Sequence, residues 1–334
     1  MTPFVFRQWA DRAPNQFQKL IAGFKPIYFK NIYSNNFFWR EFLKIADAFR
    51  QHGLSIVPLK GIDMLARFHT LFDQRTLSDI DVLIKENDLD KVEPIFFSLG
   101  YKKNLEGLRE NYWREHQCHL VFQSDRIRVD AHFGLDFKRK NRVLLPRLWD
   151  RTEEAAAGGA TVRLLSAEDA LFAFALHWRR FGNILSLKQV IDAAHLIQGS
   201  SRLDWDYILE ESARGRMRAT TYFLLLQVSL FCGSKVPEEV FKKLDVPFWK
   251  RALIKKLILK YTFDVGVPLK KLFLRAHFLL YDGFWEPVLY LINIPYEQFC
   301  KFYRLTPYTR AADLRYRLRI LYMALSVFMK ITDI

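Results

Sequence analysis

The stretch Ser78-Asp79-Ile80-Asp81-Val82-Leu83-Ile84 decides how this chain of 334 residues reads. Its apolar, β-rich content predicts a strand over residues 79–84, and side chains two apart on a strand leave from one face. Asp79 and Asp81 therefore aim at one spot, while Ile80 and Val82 pack on the other side. Two carboxylates so close repel each other unless a cation neutralises them, and oxygen ligands with open positions suit Mg²⁺ or Mn²⁺. Asp-x-Asp is a short pattern, and its bland reading is a pair of solvated acids at a strand edge.

Working upstream, Phe38, Phe42, Ile45, Ala46 and Phe49 recur at three- and four-residue spacing, which predicts an amphipathic helix over 35–51, stopped at Gly53. Residues 1–34 read as a helical extension before it. Ile56-Val57-Pro58-Leu59 is a short strand, after which Lys60-Gly61 opens a helix carrying Met64, Leu65, Phe68 and Leu71. Downstream, Asn87 and Asp88 cap a helix that ends at Gly100, with Pro94 disturbing it or marking its first turn. Runs at 119–123 and 126–133, separated by Ser124-Asp125, predict a hairpin. In its second arm Asp130 and His132 share a face. If that arm lies beside the first acidic strand, a third carboxylate reaches the same metals. Lys60, Gly61, Arg75 and Ser78 then form the phosphate end of such a site. Backbone amides after Gly61 lie at a positive helix terminus, and Lys60 and Arg75 supply charge for a metal-bound triphosphate.

The small-residue run at 155–160 reads as a connection. Helical periodicity dominates beyond it, at 167–181, 185–198, 205–215 and 218–232. The expected class is α+β: a small mixed sheet over residues 35–150, then a mostly α-helical, basic domain over 151–334.

Leu59-Lys60-Gly61, Arg75-x-x-Ser78-Asp79-Ile80-Asp81-Val82-Leu83-Ile84, Leu99-Gly100-Tyr101 and Val129-Asp130-Ala131-His132 resemble the DNA polymerase beta-like nucleotidyltransferase superfamily. Within it, they are closest to the bacterial family of uncharacterised nucleotidyltransferases. The likeness runs from about residue 35 to 240, through 169–177, 187–193 around Asp192, and Leu203-Asp204-Trp205. It implies transfer of a nucleoside monophosphate from an NTP to an acceptor hydroxyl with release of pyrophosphate. Asp79, Asp81 and Asp130 would be the catalytic, metal-holding residues, and no covalent enzyme intermediate is needed. One departure stands out: the superfamily's Gly-Ser at the helix start is Lys60-Gly61 here, so Lys60 takes the place of the serine contact to phosphate.

Several residues have a plain reading beside a functional one. His132 and His177 could support the site from behind, or be a hydrogen-bond partner and a satisfied core residue respectively. Asp192 could cap, or pair with Lys188 four residues earlier. His116, Cys118 and His119 suggest zinc only superficially, because no fourth ligand follows at structural-zinc spacing, and zinc is discounted there. Ser166 to Asp169 reads as a helix-capping signature.

Half the residues are hydrophobic and 26% are charged, which excludes disorder or a coiled-coil rod as the overall description. The net charge of +15 favours polyanionic partners. Residues 241–334 hold 17 Lys or Arg against 7 Asp or Glu, so 17 − 7 = +10 of that excess lies there. Lys250, Arg251, Lys255, Lys256 and Lys260 alternate with apolar residues in a basic amphipathic helix. That helix reads as a packed helix with a solvated face, an RNA-tracking surface or a peripheral membrane contact. The acceptor is thus open among RNA, a small molecule and a protein, and the oligomeric state is unreadable. The rival to an enzyme is a non-catalytic module of the same fold that binds RNA or an anionic membrane through this half. Three scattered cysteines, no export signal and no apolar run of spanning length point to the cytoplasm.

Overall fold

The computed structural model describes residues 2–105, 107–137, 145–181, 187–200, 203–261 and 278–328. Helices α1 (Thr2–Trp9) and α2 (Asn15–Ala22) precede α3 (Lys25–Gln51), a 27-residue helix that buries Trp39, Phe42, Ile45 and Phe49 along one stripe. The stripe was legible, but the helix starts ten residues before the expected border at 35 and crosses it unbroken; Pro26 sits in its first turn, where a missing N–H costs nothing.

Strand β1 (Ile56–Leu59) turns directly into α4 (Lys60–Arg67), and β2 (Ile80–Ile84) follows, beginning one residue after Asp79. Helix α5 (Leu89–Ser98) carries Pro94 in its interior rather than its first turn. Then come β3 (Lys102–Lys103), α6 (Glu110–His116), β4 (His119–Gln123) and β5 (Arg128–His132). The sheet order is β1-β2-β5-β4-β3, with β2 and β5 parallel and every other pair antiparallel. Pro58 is accommodated because β1 is an edge strand.

After α7 (Leu145–Asp150), the small-residue run is not a connection. It forms a hairpin of β6 (Glu153–Ala157) and β7 (Ala160–Leu164), and β7 lies against β1. Gly158 and Gly159 make its two-residue loop with φ of +55° and +82°, a conformation that twists strands correctly and excludes most side chains. Helices α8 (Ala167–Phe181), α9 (Leu187–Gly199), α10 (Trp205–Arg214) and α11 (Arg218–Cys232) follow as the periodicity predicts. Ser166 caps α8 by accepting the Asp169 N–H at 3.2 Å. Next are α12 (Glu238–Lys243), α13 (Phe248–Tyr261) and four short helices between Trp285 and Phe328. One apolar core runs from Trp39 through the sheet to the helices as far as Leu280, and a smaller one gathers Ile294, Phe299, Cys300 and Ala312. The fold is α+β, a small mixed sheet with a mostly helical C-terminal half.

Candidate active site

The parallel pairing of β2 with β5 sets Asp81 opposite Asp130 and Leu83 opposite His132. Because Asp130 and His132 are two apart, both leave the face from which Asp81 projects. Asp81, Asp130 and His132 each offer a ligand atom within 4.8 Å of the others. Lys60 Nζ donates to Asp81 Oδ1 at 2.6 Å, and His132 Nε2 lies 2.9 Å from the same oxygen. The aim of Lys60 comes from its backbone. At the β1–α4 turn it has φ of +49°, a left-handed conformation costing a non-glycine residue on the order of 1 kcal/mol. Strain of this kind persists where the surroundings over-determine it.

The two carboxylates are electrostatically unlike. Burial alone would push the Asp81 carboxyl up, but the Lys60 ammonium and the His132 contact outweigh it and hold Asp81 well below the usual carboxylate range. For Asp130 burial wins, and with the neighbouring Asp81 charge it carries the group up to about 6 against the bond from Arg128 Nε at 2.7 Å. One acid of the pair is firmly ionised and the other is poised near neutrality.

Asp79 precedes β2 and stands outside that close group; it is half-buried, and its Oδ1 accepts from the exposed Ser78 hydroxyl at 2.9 Å. It borders the same space nonetheless. Lys188 on α9 feels the charge of both Asp79 and Asp81, although burial and then Arg75 leave its own pKa lowered. In the sequence, Lys188 stands out only as a partner for Asp192, four residues on. Asp192 instead grips Arg75: Nε lies 3.0 Å from both carboxylate oxygens and Nη2 2.9 Å from Oδ2, and both side chains are buried. Arg75 thus faces a carboxylate on α9 rather than open solvent.

The loop that carries Arg75 and Ser78 is tied from below. Asn35 on α3 donates to the carbonyls of Phe72 at 2.7 Å and Arg75 at 2.6 Å, Asn31 donates to the carbonyl of Asp73, and the Tyr28 hydroxyl reaches the Asp73 carboxylate at 2.7 Å. Gly61 serves the same packing, because a Cβ there would overlap Leu77 Cδ2 and the Arg75 guanidinium. Its close approach is to these side chains. His177, half-buried on α8, borders a small cavity with Lys60, His132, Leu59 and Leu135. The structure therefore brings together Lys60, Asp81, Asp130 and His132, with Asp79, Lys188 and His177 around them, and puts Gly61, Arg75 and Ser78 in the adjoining turn and loop.

A small mixed sheet that sets Asp81 beside Asp130 on adjacent strands agrees with the resemblance to the nucleotidyltransferases, and Lys60 at the strand-to-helix turn is where this chain departs from their usual Gly-Ser. The sequence profile described as "Uncharacterised nucleotidyltransferase" matches residues 2–233, and the chain belongs to that family. Among solved structures, the chain is similar to the solution structure of the antibiotic-resistance factor ANT(2'')-Ia, at 13% identity over 57% of this chain and 89% of that one, with a TM-score of 0.37. A search of curated proteins finds no match. No helix among the described residues is long and apolar enough to cross a membrane.

Proposed function

We propose that the chain transfers a nucleoside monophosphate from an NTP to an acceptor hydroxyl, releasing pyrophosphate, in a Mg²⁺- or Mn²⁺-dependent reaction in the cytoplasm. The observation that carries this reading is the β2–β5 register, which sets Asp81 beside Asp130 with the Lys60 ammonium at its edge. The donor set fits a hard divalent cation: carboxylate oxygens close together, one of them firmly ionised. Asp79, Asp81 and Asp130 would hold the ions, which supply charge stabilisation for the attacking and leaving oxygens of an in-line displacement. Lys60 has only to exchange one anionic oxygen for another to bind phosphate, with Gly61 and Ser78 bounding that end. Arg75 acts through Asp192 by fixing the loop, and His132 orients the Asp81 carboxylate, with His177 behind it. The acceptor favoured by charge is polyanionic, RNA first: Lys255, Lys256 and Lys260 are exposed along α13.

The test is calorimetric titration with non-hydrolysable ATP, CTP, GTP and UTP analogues, with and without Mg²⁺, beside Asp79→Asn and Asp81→Asn variants. Metal-dependent binding that disappears in the variants supports the reading, and full turnover by either variant refutes it. Retention of RNA or anionic vesicles with no nucleotide binding would favour the non-catalytic alternative.

A further inference from the structure

The hairpin that carries Asp130 gathers a second, softer donor set. Cys118 immediately precedes β4, His119 opens that strand, and the antiparallel register sets His119 opposite His132, the last residue of β5. One ligand atom from each of the three side chains lies within 4.8 Å of the other two, and all three are buried. Cys118 Sγ is 3.8 Å from His119 Nδ1, and the two imidazole centroids are 5.1 Å apart. His116 stands outside this group, beside Glu115; the third ligand for Cys118 and His119 comes instead from the paired strand, where sequence spacing gives no hint of it.

We propose that Cys118, His119 and His132 form a binding site for a thiophilic divalent cation, Zn²⁺ foremost, behind the Asp81–Asp130 pair. A thiolate and two imidazoles are zinc ligands and poor ones for Mg²⁺, so this site and the carboxylate site sort the two ions by chemistry. Tetrahedral zinc, with bonds of about 2.0–2.3 Å, holds its ligand atoms roughly 3.3–3.8 Å apart. The three side chains reach that geometry by closing in by roughly an ångström, with the fourth position left for water. Binding expels the Cys118 thiol proton to solvent. His132 connects the two sites. Its Nε2 faces Asp81 at 2.9 Å, so Nδ1 is the nitrogen given to the cation, and Nε2–H donates to the carboxylate. A filled site thereby fixes the His132 tautomer and, through it, the orientation of Asp81. The inference stands on the β4–β5 hairpin and does not depend on nucleotide transfer.

The experiment is titration of the metal-free, reduced 334-residue chain with Co²⁺, a spectroscopic substitute for Zn²⁺. The expected result is a thiolate-to-cobalt charge-transfer band saturating at one equivalent, abolished by Zn²⁺ and unchanged by excess Mg²⁺. The band should persist in a Cys232→Ala/Cys300→Ala double variant, where Cys118 is the sole thiol, and vanish in Cys118→Ala. Absence of the band in the unaltered protein, its loss in the double variant, or its survival in a folded Cys118→Ala variant would each overturn the proposal. The double variant and the unaltered protein decide the matter even if Cys118→Ala does not fold.

Discussion

Replacing Asp192 by Ala tests how the helical half is coupled to the candidate site. The Arg75–Asp192 pair has three N–H···O contacts of 2.9–3.0 Å, and its side chains are 7% and 2% exposed. Removing one member of such a pair leaves a buried charge without its counter-ion, which costs about 3–5 kcal/mol. The lost carboxylate also frees the guanidinium that packs on Gly61, and the 75–78 loop loses its hold on α9. At roughly 2–4 °C per kcal/mol for a domain of about 200 residues, the melting temperature should fall by on the order of 10 °C. Differential scanning calorimetry measures this directly, provided the transition is reversible. An Arg75→Met/Asp192→Leu double variant removes both charges together and should recover most of the loss, because an apolar replacement of a buried pair is close to neutral. A fall of under about 2 °C in Asp192→Ala, or a double variant no more stable than the single one, would refute the argument that this pair is buried and mutually dependent.

Three further outcomes are expected. Gly61→Ala should destabilise by about 1–3 kcal/mol, since the new methyl overlaps Leu77 and Arg75, and should weaken nucleotide-analogue binding; thermal melting and calorimetry read both effects. Mg²⁺ affinity should be flat above pH 6 and fall about tenfold per pH unit below it. The reason is that Asp130 titrates near 6 in the metal-free protein, and its proton must leave before the cation binds; calorimetric Mg²⁺ titrations between pH 5 and 7.5 check this, and an affinity independent of pH would contradict it. Lys255→Gln/Lys256→Gln should leave the melting temperature unchanged, since both side chains are exposed, and lower the salt-dependence slope of single-stranded RNA binding by about 1.4, from roughly 0.7 per phosphate contact.

What could be read in advance followed from local pattern. The α3 stripe, β1, the acidic strand, the β4–β5 hairpin and α8 to α11 each announce themselves through periodicity of 3.6 or 2. The adjacency of Asp81 and Asp130 followed once β5 was put beside β2. The β6–β7 hairpin was missed because alanines carry little β signal, although Gly158-Gly159 is a two-residue turn signature that would have found it. Strand β3 is two residues long and has no pattern to see. The Arg75–Asp192 pair spans 117 residues, and the Cys118–His119–His132 group exists only through strand register. Both are set by tertiary pairing, to which spacing along the chain is blind. Lys188 reads in the sequence as a partner for Asp192 one turn away, and only the packing of α9 puts it under the loop, with Nζ 3.4 Å from the Thr76 carbonyl.

The unbroken run of α3 across residue 35 bears on how this protein can be cut. A fragment starting at Asn35, as the periodicity alone would recommend, would keep the amide that holds the carbonyls of Phe72 and Arg75 but discard the Tyr28 hydroxyl and the Asn31 amide that secure Asp73. It would also place Asn35 at a fraying terminus instead of in the middle of a 27-residue helix. The first thirty-odd residues thus work as a splint for the loop beside Asp79, and trimming them would leave the turn at residues 72–75 with half of its side-chain ties.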